Sequence, residues 1–158
     1  MAAPSKKLVC FSLGEQVFAL PIDAVKEAVE LRPITPVFLV PAFIRGIMNL
    51  RGEVVAVIDL QRFLGLEVTR ISEQRRVVVV QSGTGRRNQR TAGLLADSLC
   101  GVVELDTDEV QPPPATLPRR VSGHLRGLVS RAEGPVLILD IERVFDSEQL
   151  APHRRGAL

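Results

Sequence analysis

Apolar residues recur along this chain in short runs with the two-residue period of strands. Residues 7–13 and 17–21 read as two strands joined across Gly14-Glu15-Gln16, a short hairpin loop. Residues 23–27 suit a helical turn and 26–31 a strand. Pro33, Pro36 and Pro41 make 32–42 an extended loop with at most a short strand. That loop also carries Val37-Phe38-Leu39-Val40, which a proline-broken segment can hardly bury, so Phe38 and Leu39 are expected at the surface.

Residues 44–64 hold the clearest pattern. A strand over 44–50 leads through a tight turn at Arg51-Gly52 into a strand over 54–58, and Asp59 caps a short helix with Leu60, Phe63 and Leu64 on one face. The turn holds Arg51 at a hairpin tip. A guanidinium rooted that way is a rigid fork of donors suited to a carboxylate or an amide edge; the same spacing also fits a solvated turn arginine. Beyond a polar connector (65–74), residues 75–81 form a near-continuous apolar strand of central type with 91–96 as its partner. A strand over 99–105, an acidic turn over 106–109 and the rigid run Gln111-Pro112-Pro113-Pro114 follow. Residues 121–130 and 135–139 give a last hairpin, and 140–150 one helix or two short ones. Residues 1–5 and 151–158 are expected to be flexible tails.

The frame of 46–64 recurs at 127–145 without a gap. Arg45/Arg126, Gly46/Gly127, Asp59/Asp140 and Arg62/Arg143 are identical. A second gapless match sets 19–31 against 93–105, sharing Leu20/Leu94, Asp23/Asp97, Val29/Val103, Glu30/Glu104 and Leu31/Leu105. Two matches in the same order predict an internal duplication. We therefore expect one domain over 6–150 with two β-rich lobes, about 14–66 and about 75–145, and an N-terminal strand at 7–13. The second copy replaces Asn49-Leu50-Arg51-Gly52 with Ser130-Arg131-Ala132-Glu133, so Arg51 is not part of the shared frame.

Composition narrows the function. Of 158 residues 46% are hydrophobic but only 4% aromatic, with neither Trp nor Tyr, so Val, Leu and Ile dominate the core, which suits strands. A net charge of +2 speaks against a general binder of nucleic acid or membrane surface. Lys6-Lys7 precedes an apolar run that Gly14-Glu15 ends too soon for a signal peptide, and no run approaches a membrane span. A soluble cytoplasmic protein is the expectation. Cys10 and Cys100 lack metal spacing and lie in apolar strand patterns. They read as small, buried, unpaired hydrophobes.

Catalytic chemistry is hard to assemble here. The two histidines are His124 and His153, and no Gly-x-Ser-x-Gly, His-x-x-x-His or Cys-x-x-Cys occurs. Asp23, Asp59, Asp97 and Asp140 sit at repeat-equivalent positions before short helices, as caps rather than an acid/base pair. Gly83-Thr84-Gly85 follows a strand but lacks the third glycine and the helix a dinucleotide site needs. Arg86, Arg87 and Arg90 on that loop read as a solvated basic tip. No metal or cofactor is expected, and a binding protein is.

Asn49-Leu50-Arg51-Gly52, followed by Val54-Val55-Ala56-Val57-Ile58-Asp59-Leu60 and preceded by Pro41-Ala42-Phe43-Ile44-Arg45-Gly46, resembles the signature of the CheW family, adaptors of bacterial chemotaxis. The resemblance runs from about Leu8 to Leu150 and includes Phe11-Ser12-Leu13-Gly14 and residues 137–145. It implies a mainly β fold of two small SH3-like five-stranded β-barrel lobes with short helices. It also implies a non-catalytic scaffold coupling the cytoplasmic tips of chemoreceptors (methyl-accepting chemotaxis proteins) to the histidine kinase CheA. The receptor's helical hairpin would lie at the groove between the lobes. Val25, Glu27, Gly46 and Arg51 match the receptor-facing positions. The kinase's regulatory domain would meet the outer face of the first lobe, and contacts of the second lobe with a further kinase domain would close the rings of a membrane-associated array. The chain departs from the family pattern at Ala56, commonly proline, and at Phe38-Leu39, commonly polar or proline-containing. The second departure suggests a partner-binding patch and a specialised pathway, such as surface motility, in which one partner has been replaced.

Overall fold

Short alternating runs of Val, Leu and Ile build ten strands in a computed structural model that describes residues 5–67, 75–83, 89–147 and 149–150. In chain order these are β1 (Ser5–Leu13), β2 (Gln16–Pro21), β3 (Val25–Glu30), β4 (Ile44–Leu50), β5 (Glu53–Asp59), β6 (Arg76–Ser82), β7 (Arg90–Ala96), β8 (Ser98–Asp106), β9 (Leu125–Arg131) and β10 (Gly134–Leu139). Three short helices, α1 (Leu60–Phe63), α2 (Arg119–Ser122) and α3 (Ile141–Asp146), and 3-10 turns at Ile22–Ala24 and Thr107–Glu109 complete the fold. Ser5 already belongs to β1; the rest of both expected tails, residues 68–74 of the connector and residues 84–88 of the basic loop lie outside the described residues.

The strands form two five-stranded sheets, β8-β1-β2-β10-β9 and β3-β6-β7-β5-β4. The class is the mainly β one expected, but the ladders stop at edge strands and do not close into barrels. What joins the edges is a connector. Thr35 exchanges both backbone hydrogen bonds with Ile47 of β4 (2.8 and 2.9 Å), linking the segment after β3 to the opposite edge of its sheet. Gln111 does the same with Leu128 of β9 (both 2.8 Å) after β8.

The duplication is present to the level of register. Ile44 pairs with Ile58 and Gly46 with Val57, leaving Arg45 in a bulge; Leu125 pairs with Leu139 and Gly127 with Ile138, leaving Arg126 in the same bulge. Asp59 Oδ1 accepts from the Arg62 amide and Asp140 Oδ1 from the Arg143 amide, each at 3.2 Å. Each aspartate also pairs with its arginine, at 3.2 and 3.5 Å.

The division into lobes differs from the expected one at 14–66 and 75–145. The first copy comprises β1–β5 and α1, the second β6–β10 and α3, and the copies exchange their leading hairpins. β1–β2 inserts between β8 and β10, and β6–β7 between β3 and β5. Parallel pairs make the junctions, Ala19 against Ile138 and Gly93 against Val57, equivalent positions in the repeat. Sequence similarity says which segments are alike and not which ones pair, so the exchange was invisible in the repeat.

Burial follows from this arrangement. One apolar cluster fills the space between the sheets, with Phe11, Phe18, Phe63, Val78, Leu94 and Leu139 among its members. Two smaller clusters belong to one sheet each, one around Met48, Val57 and Val79, the other around Leu8, Ala19 and Ile138. Inserted strands are covered on both faces, which is why Val77-Val78-Val79-Val80 forms an unbroken buried run.

Several local expectations are corrected. Residues 119–122, expected to lie before or within a strand, form α2. Pro118 fixes its own φ at −59° ahead of the first turn, Val121 packs inward, and Arg120 donates to the Phe63 and Arg62 carbonyls at 2.8 and 3.0 Å, satisfying the end of α1. Asp97 is buried between strands and caps no helix; its carboxylate accepts from the Gly14 amide at 2.6 Å and holds the β1–β2 turn. Asp23 lies inside its 3-10 turn and makes no cap. Both cysteines are free, but only Cys10 is buried; Cys100 is exposed at a bulge in β8.

Candidate functional site

The β4–β5 turn is the two-residue kind in which both residues adopt left-handed backbone, Arg51 at φ 53° and Gly52 at φ 85°. Glycine does this freely and arginine does not. Asn49 steadies the turn, its side-chain oxygen accepting from the Gly52 amide at 2.9 Å. Arg51 then reaches from the turn to β3, at the opposite edge of the sheet. Its Nη1 and Nη2 donate to Glu27 Oε2 and Oε1, each at 2.9 Å, a two-pronged pair. The Glu27 side chain is 20% exposed and that of Arg51 70%, so the carboxylate is a seat and the guanidinium a presented surface. Lys26, the residue set out by the β3 bulge, pairs less tightly with Glu53 (3.7 Å). Sequence reasoning did not find that flanking pair. The register of β3 on β6 decides it.

Among the described residues, the other sheet has no such feature. Gly101 and Ala132 occupy the positions of Glu27 and Arg51, so neither partner of the pair is present there.

The other two expected receptor-facing residues are placed differently. Val25 is half-buried and packs against the core between the sheets. Gly46 is buried at φ 140°, and a Cβ there would collide with the Thr35 carbonyl. Gly127 faces the same restriction, its Cβ position lying 2.5 Å from Val110 Cγ1 and 2.7 Å from the Gln111 carbonyl. These glycines admit the bridging connector in each copy. Gly46 lies in β4, the strand that leads into the Arg51 turn.

A second surface feature lies in the β3–β4 connector. Five of the six phenylalanines are no more than 7% exposed, whereas Phe38 is 88% exposed and Leu39 fully so. Val40 packs against the core and Phe43 is buried, so the tip is fastened just beyond its apolar residues. Leu39 stands at φ 64°. Among the described residues, it and Arg51 are the non-glycine residues with left-handed backbone. Both side chains singled out from the sequence thus sit where the backbone carries local strain.

At the start of β7, Arg90 donates to Asp146 (2.7 Å) and Glu142 (3.0 Å) and lies over the Phe145 ring at 5.1 Å. It is a clasp between β7 and α3 rather than a solvated tip. No group of three or more His, Cys, Asp or Glu among the described residues could hold a metal ion.

The family model described as a CheW-like domain matches residues 7–149. The chain belongs to the CheW family. It is 29% identical over 148 residues to the chemotaxis protein CheW of Treponema pallidum, with 91% of this chain and 84% of that one covered. It is 31% identical over 146 residues to the protein PilI of Pseudomonas aeruginosa (91% and 74% covered). The crystal structure of the scaffolding protein TtCheW from Thermoanaerobacter tengcongensis superposes with a TM-score of 0.79 at 30% identity, covering 94% of this chain and 92% of that one. The chain is accordingly a CheW-like scaffold, an adaptor of chemotaxis type and not an enzyme. No helix among its described residues is long and apolar enough to cross a membrane.

Proposed function

We propose that this CheW-like chain couples chemoreceptor tips to the histidine kinase CheA in a cytoplasmic signalling array, and that Arg51 seated on Glu27 is the centre of its receptor-binding surface. The observation that carries the reading is the unequal treatment of two hairpins that share a bulge, a cap and a bridge but not a turn. Both fold with the same bulge, cap and bridge, yet only one bears a strained arginine held by both prongs. The β9–β10 hairpin turns differently, with neither Ala132 nor Glu133 in left-handed backbone and Gly134 at φ 129°, so the left-handed turn under Arg51 belongs to one copy alone. Val25 flanks the pair on β3 and Gly46 lies in β4, the strand that leads into the Arg51 turn. The regulatory domain of CheA is the expected partner of the outer face of the same sheet. A pull-down with separate receptor-tip and kinase fragments tests the assignment: Arg51→Glu is expected to lose the receptor fragment and keep the kinase fragment. Loss of both, or of neither, refutes it.

A second reading rests on Phe38 and Leu39. An apolar tip on a fastened loop suits a dedicated protein partner, so the chain would scaffold a different protein in a specialised pathway with one of the usual partners lost. The likeness to PilI, whose name is not that of a chemotaxis protein, supports this reading. If wild type captures receptor and kinase fragments together, and Phe38→Asp leaves that unchanged, the first reading stands and this one falls.

A further inference from the structure

We propose that Cys10 and Cys100 form a dithiol site that exchanges with low-molecular-weight disulfides and closes to an intrachain disulfide between β1 and β8. The site lies in the other sheet from Arg51 and does not depend on the adaptor reading. In the β1–β8 ladder Cys10 pairs with Gly101 and Phe11 with Leu99, so Cys100 is the extra residue of a bulge set against Cys10. Gly101 has no side chain, which leaves the Cys100 thiol as the group facing Cys10 from that strand. Both cysteines line one cleft of about 730 Å³, together with Glu15, Val103, Arg131 and Glu133. Paired Cα atoms of neighbouring antiparallel strands lie roughly 4.5–5.5 Å apart; Cys10 has that relation to Gly101, and Cys100 is the adjacent residue, so closure needs the bulge to draw onto Cys10 within the span a disulfide allows.

The fold does not ask for thiols here. At the equivalent bulge of the other sheet Val79 faces Glu27, and Lys26 is the extra residue. The two sulfurs also differ in access, Cys10 being 2% exposed and Cys100 exposed. That asymmetry assigns an entry thiol and a resolving thiol. The Cys100 thiolate attacks a small disulfide such as glutathione disulfide, forming a mixed disulfide and releasing one glutathione. The Cys10 thiolate then attacks the Cys100 sulfur, forming the Cys10–Cys100 bond and releasing the second glutathione. Two protein thiols are oxidised, one external disulfide is reduced, and the two thiol protons end on the two glutathiones. Burial pushes both thiols up from their ordinary pKa; the neighbouring Cys100 adds to this for Cys10, and Arg131 opposes it. Exchange is therefore slow at neutral pH and faster in mild alkali, because the thiolate is the nucleophile.

The test is incubation of the folded protein with glutathione disulfide at mildly alkaline pH, read by intact mass and by free-thiol titration. Wild type is expected to lose both titratable thiols and two hydrogens in mass. Cys10→Val, which copies the other sheet, is expected to stop at one glutathione on Cys100, with Cys10→Ala as a second variant if valine disturbs packing. Cys100→Ser is expected to keep its remaining thiol free until denatured. A stable glutathione adduct on wild type, a disulfide between chains, or two thiols that stay reduced would each overturn the proposal.

Discussion

Replacing Arg51 by glycine separates what this residue does for the fold from what it does at the surface. Three terms act on stability. The exposed two-pronged pair with Glu27 contributes about 0–1 kcal/mol, since an arginine 70% exposed is well screened. Glycine's extra freedom in the unfolded chain costs roughly 0.5–1 kcal/mol. Against these, relief of the left-handed conformation at φ 53° returns about 1–2 kcal/mol. The sum lies near zero, so Arg51→Gly is expected to keep its urea midpoint. At an interface the balance differs. Loss of an anchoring arginine costs roughly 2 kcal/mol or more, about a 30-fold rise in Kd for the receptor fragment. Equilibrium unfolding and titration with a receptor fragment measure the two quantities on one preparation. Destabilisation beyond about 2 kcal/mol, well outside that balance, would mean that the turn needs its arginine. Unchanged receptor affinity would remove the functional assignment.

Gly46→Ala adds a methyl group into the Thr35 carbonyl at a φ that alanine avoids, and should lower stability by about 2 kcal/mol or more; Gly127→Ala, with the contact but without the positive φ, should cost less in the same urea titration. Asp59→Ala and Asp140→Ala each remove a side-chain cap and should cost about 1 kcal/mol, a shift readable in thermal melts, with the asparagine variants retaining most of it. Halves divided between residues 67 and 75 should be unfolded apart and recover native circular dichroism when mixed, because each sheet takes a hairpin from the other half; a cooperative transition in either half alone would contradict the exchange.

The legible parts were those set by local pattern. Alternation marked the hairpin of β4 and β5, the matched spacing marked its copy in β9 and β10, and the aspartate ahead of each helix was read as the cap it is at Asp59 and Asp140. The same rule misled at Asp97, where the likeness to Asp23 and the neighbouring chain gave no sign that its carboxylate would meet Gly14 from a distant turn. It was silent on α2, whose short span is held by Val121 in the core and by Arg120 on the carbonyls of α1.

For the candidate site, the division is physical. That Arg51 stands at a hairpin tip, and that Phe38 and Leu39 are stranded by prolines, follows from neighbours in the chain. That Glu27 is within reach of Arg51, that Gly46 is hidden beneath the connector, and that the two cysteines face one cleft depends on which strands pair and in what register. Local sequence carries the first kind of information because backbone geometry and side-chain period act over a few residues. Strand exchange between the copies is decided by burial on both sides of β1, β2, β6 and β7, a property of the assembled sheets that no single segment contains.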